Sequence, residues 1–374
     1  MNTEEDRFCV LQLVSNRVWG GGERYAYDLM RRTLSEGIPT AVVAAPAPVV
    51  ADRFRELGVQ VTTAPLRGFT DAASPRIVRD AVLRAPGDSP VVIHVHDFKN
   101  AFTAILAKKM VGRRRKVRVV MTRHLVKRGK RNALYRYIYR NLDAMIFISG
   151  LVRDEFFSGR PQMDAARCHT VLNSILDAEM FPHAFSGEGS VRMAYLGRLS
   201  PEKGLELLLR SLSKLKDRRW TLAVAGKGED AYEEGLRKLA ADLGISDRVE
   251  WLGYVDNVHP LLMRTDIGVV PSVWREPFGL VLLEYMAQGI PVVTTGLGAQ
   301  REILEEGVDS IIVGGDTEEE LEQGFAAALA RLIDDAGLRS GMGRKARETF
   351  EEKFSYDRFF SGIIDAYRSA LHRD

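Results

Sequence analysis

Two glutamates stand eight positions apart in the segment REPFGLVLLEYM, which covers residues 275–286. Glu276 and Glu284 could act as an acid/base pair on one atom, or they could grip the two ends of a long ligand. Eight residues of continuous helix rise roughly 12 Å, whereas the carboxylate pairs of glycosidases stand about 5–9.5 Å apart. The spacing therefore disfavours chemistry on one atom. Structural roles stay equally open, since Pro277 as the first helical residue would make Glu276 a cap and Glu284 an exposed helix residue.

Two cations occur in the segment GRLSPEKGLELLLRSL, at the start of a helix predicted over 201–216. Arg198 follows a strand, Ser200 is a favourable N-cap and Pro201 suits the first helical position. Lys203 then falls in the first turn, where a positive charge opposes the helix dipole. An anion between Lys203 and the helix amides would remove this conflict. The pattern therefore favours a diphosphate clamp over a solvated face.

Three consecutive glycines, Gly20, Gly21 and Gly22, join a predicted strand to a predicted helix in WGGGERYAYDL. Glycines let backbone N–H groups approach an anion, and a helix N-terminus favours negative charge. The dinucleotide fingerprint Gly-x-Gly-x-x-Gly does not occur in this loop. A phosphate-binding loop and a merely flexible loop are therefore equally consistent with the spacing.

Histidines stand at the ends of two predicted strands, in VVIHVHDFKN and VVMTRHLVKR. His96 ends the first strand and is the better candidate for catalysis, whereas His94 alternates inward and suits a structural role. Thr122, Arg123 and His124 end the second strand and are candidates for binding an acceptor or lining a cleft. The sequence contains no Asp-x-Asp motif and no Cys/His cluster, so it predicts no metal site.

Short β-branched runs alternate with helical patterns along the whole chain, and this order predicts an α/β protein. The strands are almost continuously apolar, which is typical of a parallel sheet covered on both faces. The order restarts after the polar segment HAFSGEGS at 183–190, which predicts a linker there. We expect two Rossmann-like domains, at 1–183 and 190–354, with ligands at the carboxyl ends of the strands.

The net charge of +3 conceals an asymmetry between the two halves of the chain. Residues 1–185 contain 29 Lys and Arg against 18 Asp and Glu, a net of +11, which leaves −8 for the remainder. Within the first half, the segment from Lys108 to Arg140 has 14 basic residues and no acidic one. Such a field attracts the phosphates of nucleic acid, of anionic lipid or of a phosphorylated substrate.

The basic segment 108–140 matches no RNA-binding module, so nucleic acid is not the predicted partner. We predict instead that it contacts anionic lipid or a phosphorylated glycolipid, helped by Tyr135, Tyr137 and Tyr139 at a headgroup interface. The alternative is a merely solvated basic face.

The bulk composition predicts a cytoplasmic protein, and the basic segment 108–140 predicts peripheral contact with the inner face of the cell membrane. The apolar runs are far shorter than the roughly 20 residues of a membrane span. The beginning of the sequence, MNTEEDRFCVLQLVS, is acidic and lacks the pattern of a secretory signal. Cys9 and Cys168 are single and widely separated, which favours free thiols in a reducing compartment.

Together these motifs resemble those of retaining GT-B glycosyltransferases of family 4. GGGE is similar to that family's Gly-Gly-x-Glu loop, LGRLSPEKG to its Gly-Arg-x-x-x-x-Lys-Gly element, and EPFGLVLLE to its Glu-x7-Glu motif. QGIPVVTTGLGAQREIL follows in the place of the family's Gly-x-Pro-Val-Val segment. The resemblance covers most of the chain. It implies two domains facing each other across a cleft, with a last helix at 355–374 that crosses back to the first domain.

The resemblance also assigns roles to the candidate residues. The second domain would hold the donor through Arg198, Lys203, Phe278, Gly279, Leu280 and Glu284. Among these, Arg198 and Lys203 would bind the diphosphate, and Glu284 would bind the ribose hydroxyls. Glu276 would face the donor sugar near its reacting centre, and His96 would lie beside the anomeric carbon. The three glycines at 20–22 would border the phosphate and the acceptor.

The implied reaction moves a sugar from a UDP- or GDP-linked donor to a glycan or glycolipid of the cell envelope, of the lipopolysaccharide type. Arg198 and Lys203 would stabilise the leaving diphosphate without a metal, and no cofactor is expected beyond the nucleotide-sugar co-substrate. A sugar phosphorylase or a nucleotide-sugar epimerase of the same fold is the main alternative. A non-catalytic GT-B binding protein is a further one.

Overall fold

The computed structural model describes residues 7–176 and 189–373. Contacts divide the chain into two compact units, one formed by Met1–Asn173 with Tyr356–Asp374 and the other by Ser174–Ser355. The predicted linker at 183–190 falls mainly on residues 177–188 and to that extent lies outside the described residues.

In the described part of the first unit, seven strands form one sheet, and each neighbouring pair is parallel. The strands are β1 (Cys9–Val14), β2 (Thr40–Ala44), β3 (Val61–Thr63), β4 (Val91–Val95), β5 (Val117–Arg123), β6 (Ala144–Phe147) and β7 (Cys168–Thr170). Their spatial order is β3-β2-β1-β4-β5-β6-β7. The order reverses between β1 and β4, and a doubly wound sheet leaves a crevice at that point, beyond the carboxyl ends of its strands.

Helices connect successive strands of this sheet. They are α1 (Gly21–Ser35), α2 (Pro48–Glu56), α3 (Ala73–Arg84), α4 (Phe98–Val111), α5 (Ala133–Asn141) and α6 (Gly150–Ser158). Polar side chains fix three of the starts, because Asp97, Asn132 and Ser149 each accept from the amide three residues later. Such N-caps satisfy amides that have no partner within the helix.

The second unit repeats the same architecture with six described strands, again in parallel pairs. The strands are β8 (Val191–Leu196), β9 (Trp220–Ala225), β10 (Val249–Gly253), β11 (Ile267–Val270), β12 (Val292–Thr294) and β13 (Ser310–Ile312). The spatial order is β10-β9-β8-β11-β12-β13, so the reversal lies between β8 and β11. The loops after these two strands are therefore the expected place for a ligand.

The helices of the second unit cover its sheet on the two faces that the apolar strands must bury. They are α7 (Leu205–Ser213), α8 (Asp230–Asp242), α9 (His259–Leu262), α10 (Leu280–Ala287), α11 (Gln300–Ile303), α12 (Glu318–Asp334) and α13 (Ala336–Lys353). Leu208 of α7, Leu222 of β9 and Phe325 of α12 are fully buried in one apolar core.

The sequence predicted a helix over 201–216, and the predicted start of this helix is wrong. Residues 201–203 form a separate 3-10 turn, and α7 begins at Leu205. Gly204 interrupts the helix because its φ of 71° is left-handed, a conformation that glycine adopts without strain. Ser200 makes no side-chain cap to any described residue of this turn, and Lys203 therefore lies outside α7.

The helix that contains Glu284 also starts later than predicted. Gly279, with a φ of 111°, is the N-cap of α10 and Leu280 is the first helical residue. Pro277 and Glu276 therefore precede the helix, and Glu276 is not its cap. The rise calculated for a continuous helix does not apply to the stretch between the two glutamates.

The last helix, α14 (Tyr356–Leu371), packs within the first unit. Its buried side carries Phe359, Phe360, Ile363, Ile364, Tyr367 and Leu371. These side chains form one cluster with Val10 of β1, Val92 of β4 and Val120 of β5. The helix therefore covers one face of the seven-stranded sheet. Across the described residues, no helix combines the length and the apolar composition that a membrane crossing requires.

Candidate active site

The loops after β8 and β11 meet through an ion pair. Lys203, after β8, donates to the Oε1 carboxylate oxygen of Glu276, after β11. The hydroxyl of Ser272 donates to the same oxygen at 2.9 Å. Glu276 is buried and Lys203 is partly exposed, so the carboxylate has exchanged water for these two donors. The structure thus brings together two of the predicted site residues at the strand reversal.

Gly204 permits this approach of the two loops. A Cβ atom at position 204 would lie 2.0 Å from the carbonyl oxygen of Pro271, far closer than any real contact. The backbones are also joined, because the amide of Val273 donates to the carbonyl of Glu202 at 3.0 Å. The Lys-Gly pair of the sequence therefore serves one purpose, which is to seat Lys203 against the loop that carries Glu276.

A second glycine holds the backbone of Glu276. Gly298 has a φ of 86°, and a Cβ atom there would lie 2.4 Å from the Glu276 nitrogen and oxygen. The Glu276 amide donates to the Leu297 carbonyl at 3.3 Å, and the Ala299 amide donates to the Glu276 carbonyl at 2.9 Å. The GLGAQ loop after β12 thus fixes the position of the glutamate main chain.

Arg198 occupies a more open position than Lys203. Its guanidinium pairs with Glu202 four residues later, and two thirds of its side chain is exposed. Its carbonyl accepts from the Tyr195 hydroxyl at 2.8 Å, which anchors the chain as it leaves β8. An exposed Arg held at its backbone can reorient toward an incoming anion without disturbing the sheet.

The start of α10 presents main-chain groups rather than side chains. No side chain of a described residue caps this helix at Gly279, so its first amides and its dipole favour an anion. Phe278 is buried, with its ring 6.4 Å from that of Phe354, so only its backbone could make the donor contact that the sequence predicts there. Glu284 lies within α10 and is partly buried.

In the first unit, the glycine loop after β1 leads directly into α1. Gly20 is the N-cap of α1, and no described side chain caps the helix there. A Cβ atom on Gly22 would meet none of the described atoms within 4 Å, and Gly20 has an extended φ of −157°. Neither glycine is therefore required by backbone strain. The loop offers space at a helix N-terminus, where the dipole favours an anion.

Glu23, in the first turn of α1, forms a buried contact beside this loop. It is buried and accepts a hydrogen bond from the Asn16 side chain. Desolvation raises the pKa of Glu23, and the Asn16 hydrogen bond opposes that rise. The Gly-Gly-x-Glu pattern thus combines an open loop with an internal brace.

Beside this loop, one face of the sheet changes from apolar to polar toward its carboxyl edge. Gln12 of β1 lies opposite His94 of β4, which lies opposite Val120 of β5. Side chains two positions apart share a face, so His96 follows His94 while Thr122 and His124 follow Val120. The polar members of this face are Gln12, His94, His96, Thr122 and His124. We refer to them together as the polar face.

The polar face is connected by hydrogen bonds. His94 Nε2 lies 2.7 Å from Thr122 Oγ1, and His94 Nδ1 lies 2.7 Å from the Tyr367 hydroxyl of α14. His96 Nε2 lies 3.0 Å from Gln12 Oε1, and His96 Nδ1 lies 3.2 Å from His124 Nε2. Both ring nitrogens of His96 are therefore engaged inside the unit.

Burial keeps all three histidines uncharged at neutral pH. Desolvation lowers the pKa of His94 to about 3 and that of His124 to about 4, from an ordinary value of 6.5. Desolvation, followed by the charges of the two other histidines, also lowers the pKa of His96 well below its ordinary value. The Tyr25 ring stands edge-on to His96 and His124, with centroids at 5.6 and 4.9 Å.

The predicted contact residues at the end of β5 have different environments. Thr122 is fully buried in the polar face. Arg123 is also buried, stacks on Phe98 and Phe156, and donates to the Lys127 carbonyl. Desolvation lowers the pKa of Arg123. His124 is partly exposed and so is the one of the three that a ligand can reach most directly.

The basic segment 108–140 does not form a single surface. It runs from the end of α4 through β5 into α5, and seven residues of strand separate its two clusters by roughly 20 Å. Arg113 and Lys116 are exposed at the amino end of β5, while a second exposed cluster follows its carboxyl end. That second cluster consists of Lys127, Arg128, Lys130 and Arg131.

Several charges of this segment are used inside the first unit. Lys108 pairs with Asp143 at 2.7 Å, and Arg115 donates to the carbonyls of Ala85 and Pro86. The predicted interface role of the tyrosines is wrong for Tyr139, which is buried with its ring 5.6 Å from that of Phe98. The charge of the segment therefore overstates what a membrane would meet.

Several residues of these arrangements escaped the sequence prediction. They are Ser272, Trp274 and Gly298 around the ion pair, and Gln12, Tyr25 and Tyr367 around the histidines. For Gln12 a signal existed, since a polar residue occupies an inward position of an otherwise apolar strand. The others become visible only when distant parts of the chain are brought together. Within the described residues, no three His, Cys, Asp or Glu side chains are grouped as a metal site would require.

Comparisons with known proteins agree with this architecture. The structure of the Anabaena protein HepE in complex with UDP and glucose superposes with a TM-score of 0.80, covering 96% of this chain and 99% of that one, at 19% identity. The two parallel α/β units thus define a GT-B fold. Residues 20–174 match the model of the glycosyl transferase 4-like domain, and residues 178–349 match that of the glycosyl transferases group 1. The two matches together span most of the chain, which belongs to the group 1 glycosyltransferases.

Two curated relatives resemble mainly one part of the chain. An uncharacterised glycosyltransferase of Methanocaldococcus jannaschii is 33% identical over 180 residues, which is 47% of this chain and 44% of the relative. The lipopolysaccharide core biosynthesis glycosyltransferase LpsE of Rhizobium meliloti is 35% identical over 178 residues, which is 47% of this chain and 48% of the relative. The chain thus matches these relatives over about half of their length.

Proposed function

We propose that the protein is an enzyme of class EC 2.4, a retaining glycosyltransferase that moves a sugar from a nucleotide diphosphate sugar to a glycan or glycolipid. The observation that carries this proposal is the meeting of Lys203 and Glu276 at the strand reversal of the second unit, beside the uncapped start of α10. Family membership supports it.

The diphosphate of the donor binds where positive charge and free amides converge. Lys203 exchanges part of its contact with Glu276 for a phosphate oxygen, and Arg198 turns from Glu202 toward the same group. The amides at Gly279 and Leu280 add the dipole of α10. These fixed donors stabilise the charge that grows on the leaving group.

The two glutamates bind the two ends of the donor. Glu284 accepts hydrogen bonds from the ribose hydroxyls, and Glu276 faces the sugar close to its reacting carbon. Glu276 suits this place because the GLGAQ loop fixes its backbone while Ser272 and Lys203 orient its carboxylate. The pair therefore acts on two parts of one long ligand.

In the reaction, the bond between the anomeric carbon and the diphosphate oxygen breaks with its electron pair going to the diphosphate. The acceptor hydroxyl oxygen forms the new bond to that carbon, on the same face. Its proton passes to the leaving phosphate, so no protein base is needed beside the bond. Within the first unit, the glycine loop at 20–22 and the polar face are the groups we propose for binding the acceptor.

UDP is the nucleotide we propose first, and the HepE structure with bound UDP supports this choice. A GDP-linked donor is the alternative. Arg198 and Lys203 supply the positive charge that a divalent cation provides in other transferases. Transfer should therefore continue in the presence of EDTA, and no cofactor is required beyond the co-substrate.

The proposed acceptor is an envelope glycolipid of the lipopolysaccharide type, bound by a protein that works in the cytoplasm at the inner membrane face. The similarity to LpsE supports this class. So does the exposed cluster after β5, because Leu125, two residues before its first cation, has about half of its surface exposed. A basic loop with an exposed apolar residue suits an anionic headgroup.

The test is release of nucleoside diphosphate from a radiolabelled nucleotide sugar, with and without extracted envelope glycolipid. Label should pass to the glycolipid, with release dependent on it and unaffected by EDTA. Interconversion of the sugar without transfer would identify an epimerase and contradict the proposal, as would release that requires inorganic phosphate.

A further inference from the structure

The hydrogen bonds of the polar face can be satisfied in two ways, and each way fixes the tautomers of all three histidines. A neutral imidazole has one N–H donor and one bare nitrogen acceptor. Because His96 bonds to Gln12 at Nε2 and to His124 at Nδ1, its tautomer determines that of His124. The orientation of the Gln12 amide, which also contacts His94, then couples the whole set.

In the first arrangement, the Gln12 oxygen accepts from His96 Nε2–H, and the bare His96 Nδ1 accepts from His124 Nε2–H. His94 carries its proton on Nε2 and donates to Thr122. In the second arrangement, every one of these donors and acceptors is exchanged. All three histidines then carry the proton on Nδ1 instead.

Tyr367 distinguishes the two arrangements. Its hydroxyl lies 2.7 Å from His94 Nδ1, and a Gln12 side-chain hydrogen bond also reaches it. A phenol is a stronger donor than acceptor because its oxygen lone pair is delocalised into the ring, whereas a bare imidazole nitrogen accepts strongly. Tyr367 therefore donates to His94 Nδ1. The Gln12 NH2 group must then face His94, 3.4 Å away, and its oxygen must face His96.

We propose that Tyr367, Gln12 and His96 form a relay that fixes the tautomer of His124, so that its Nδ1 is presented as a bare hydrogen-bond acceptor to a substrate hydroxyl. His124 is the partly exposed end of the relay, and its Nδ1 has no partner among the described residues. His96 then acts as a positioning residue, since both of its ring nitrogens are occupied. The identity of the hydroxyl donor as a sugar rests on the proposed function.

Through the relay, the hydroxyl of Tyr367 in α14 determines whether His124 Nδ1 carries a proton. Tyr367 does not contact His124, and the signal passes through His94, Gln12 and His96. Gln12, His94, Thr122 and Tyr367 are fully buried, so water does not offer them alternative partners, whereas His96 is partly buried. A low-dielectric environment strengthens such a chain and penalises any unpaired member.

The tautomers of the three histidines can be measured in the wild-type protein without any substrate. Histidine labelled with 15N, in two-bond 1H–15N correlation spectra at pH 7, distinguishes protonated from bare ring nitrogens. The signals can be assigned by His94→Gln, His96→Gln and His124→Gln substitutions. We expect Nε2–H at all three positions. Nδ1–H at His124, a charged ring there, or a different tautomer at each position would overturn the relay.

Because Nε2–H is also common for isolated histidines, a variant tests the coupling itself. Tyr367→Phe removes the donor that favours the first arrangement. The Nδ1–H tautomer should therefore gain population at His94, His96 and His124 together. Tyr356→Phe is the matched control, since it removes a buried hydroxyl of the same helix that has no hydrogen-bond partner in the described chain. An unchanged His124 spectrum in Tyr367→Phe, with the fold intact by melting temperature, would refute the relay.

Turnover separates this inference from the function on which it rests. Sugar transfer should fall several-fold in Tyr367→Phe and stay at the wild-type level in Tyr356→Phe. Equal turnover in the two variants would refute the role of the relay in catalysis. A wild-type protein that shows the expected tautomers but transfers no sugar would overturn the proposed function and leave the relay in place.

Discussion

Glu276 is held at both its backbone and its carboxylate, and this sets it apart from Glu284. Its main chain bonds to Leu297 and Ala299, while its side chain accepts from Ser272 and Lys203. The carboxylate is therefore preorganised for the role proposed for it at the donor sugar, beside the cation proposed for the diphosphate.

Glu276→Gln should lose turnover and keep nucleotide binding. The amide retains the bond from Ser272 but removes the negative charge at the sugar, so we expect a loss of roughly 10²-fold or more in kcat. In the proposed complex the nucleoside diphosphate contacts Lys203 rather than Glu276, so its dissociation constant should stay within a few-fold of wild type. Steady-state transfer and calorimetric titration with UDP measure the two effects.

Glu322→Gln is the matched control, because Glu322 pairs with Lys214 on the surface of the second unit. It should leave both quantities unchanged. Wild-type turnover in Glu276→Gln would remove that residue from the reaction.

At the scale of elements, glycines rather than caps decide where the site helices begin. Gly204 and Gly279 have left-handed φ values, and each separates the loop of a candidate site residue from the helix that follows it. The sequence predicted both helices, but it placed Lys203 inside the first of them and Glu276 at the N-cap of the second. Left-handed backbone at Gly204 follows from the approach of Pro271, sixty-seven residues away, which no local pattern contains.

Gly204→Ala should disrupt the ion pair and destabilise the second unit. The added Cβ atom meets the Pro271 carbonyl at 2.0 Å, and alanine is strained at a φ of 71°. We expect a loss of more than about 2 kcal/mol in the free energy of unfolding together with a loss of transfer. Urea unfolding followed by tryptophan fluorescence gives the stability.

Gly235→Ala is a contrasting control in α8. The same Cβ atom meets none of the described atoms within 4 Å there, and alanine favours a helix interior by roughly 0.5–1 kcal/mol. That variant should be slightly more stable than wild type. Equal stability of the two variants would show that the loops do not need their close approach.

The polar face makes the first unit sensitive to acid. Burial lowers the pKa of His94 to about 3 and that of His124 to about 4, whereas the unfolded residues titrate near 6.5. The unfolded chain therefore binds more protons between these values, so the stabilisation is complete above pH 6.5 and is lost as the pH falls toward 4. Glu23, whose pKa is raised, opposes this trend as a single group.

Hydrogen exchange at pH 7.5 and pH 5 measures this effect locally. Protection of β4 and β5 should fall at the lower pH, after correction for the intrinsic exchange rate, and protection of β8 and β9 should change less. Equal loss in both sheets would contradict a cause in the histidines.

The elements of the polar face could be predicted, but their connections could not. Alternation along β4 predicted that His94 points inward and that His96 ends the strand. Gln12 and Tyr367, which determine what His96 can do, lie 82 and 273 residues from His94. A single sequence offers no spacing from which such contacts can be inferred.

For the whole molecule, the order of strands and helices was enough to predict two Rossmann-like units, and their motifs were enough to predict the family. The charge of the segment 108–140 was less informative about a membrane surface, because the number of basic residues does not show which of their side chains are exposed. The fold engages part of this charge within the first unit, as at Lys108 and Arg115, and places two exposed clusters at opposite ends of β5.

This separation predicts which cations meet a membrane. The double variant Lys127→Gln and Arg131→Gln should sediment poorly with anionic liposomes, because each charge near the surface contributes roughly 1 kcal/mol. Arg113→Gln with Lys116→Gln makes the same change of charge at the other end of β5 and should sediment like wild type. Equal recovery of wild type with anionic and neutral liposomes would rule out the lipid contact.

The proposed function depends most directly on binding of the nucleotide-sugar diphosphate to the second unit through Lys203. The most direct measurement is the shift in melting temperature with UDP, GDP, ADP and uridine, for wild type and for Lys203→Ala. Ligand that binds the folded state stabilises it by about 2.7 kcal/mol at a hundred times its dissociation constant. If Lys203 binds the diphosphate, we expect stabilisation of the wild type by one diphosphate, most strongly UDP, none by uridine, and a loss of the shift in Lys203→Ala. Stabilisation by uridine equal to that by UDP, or an undiminished shift in Lys203→Ala, would contradict it.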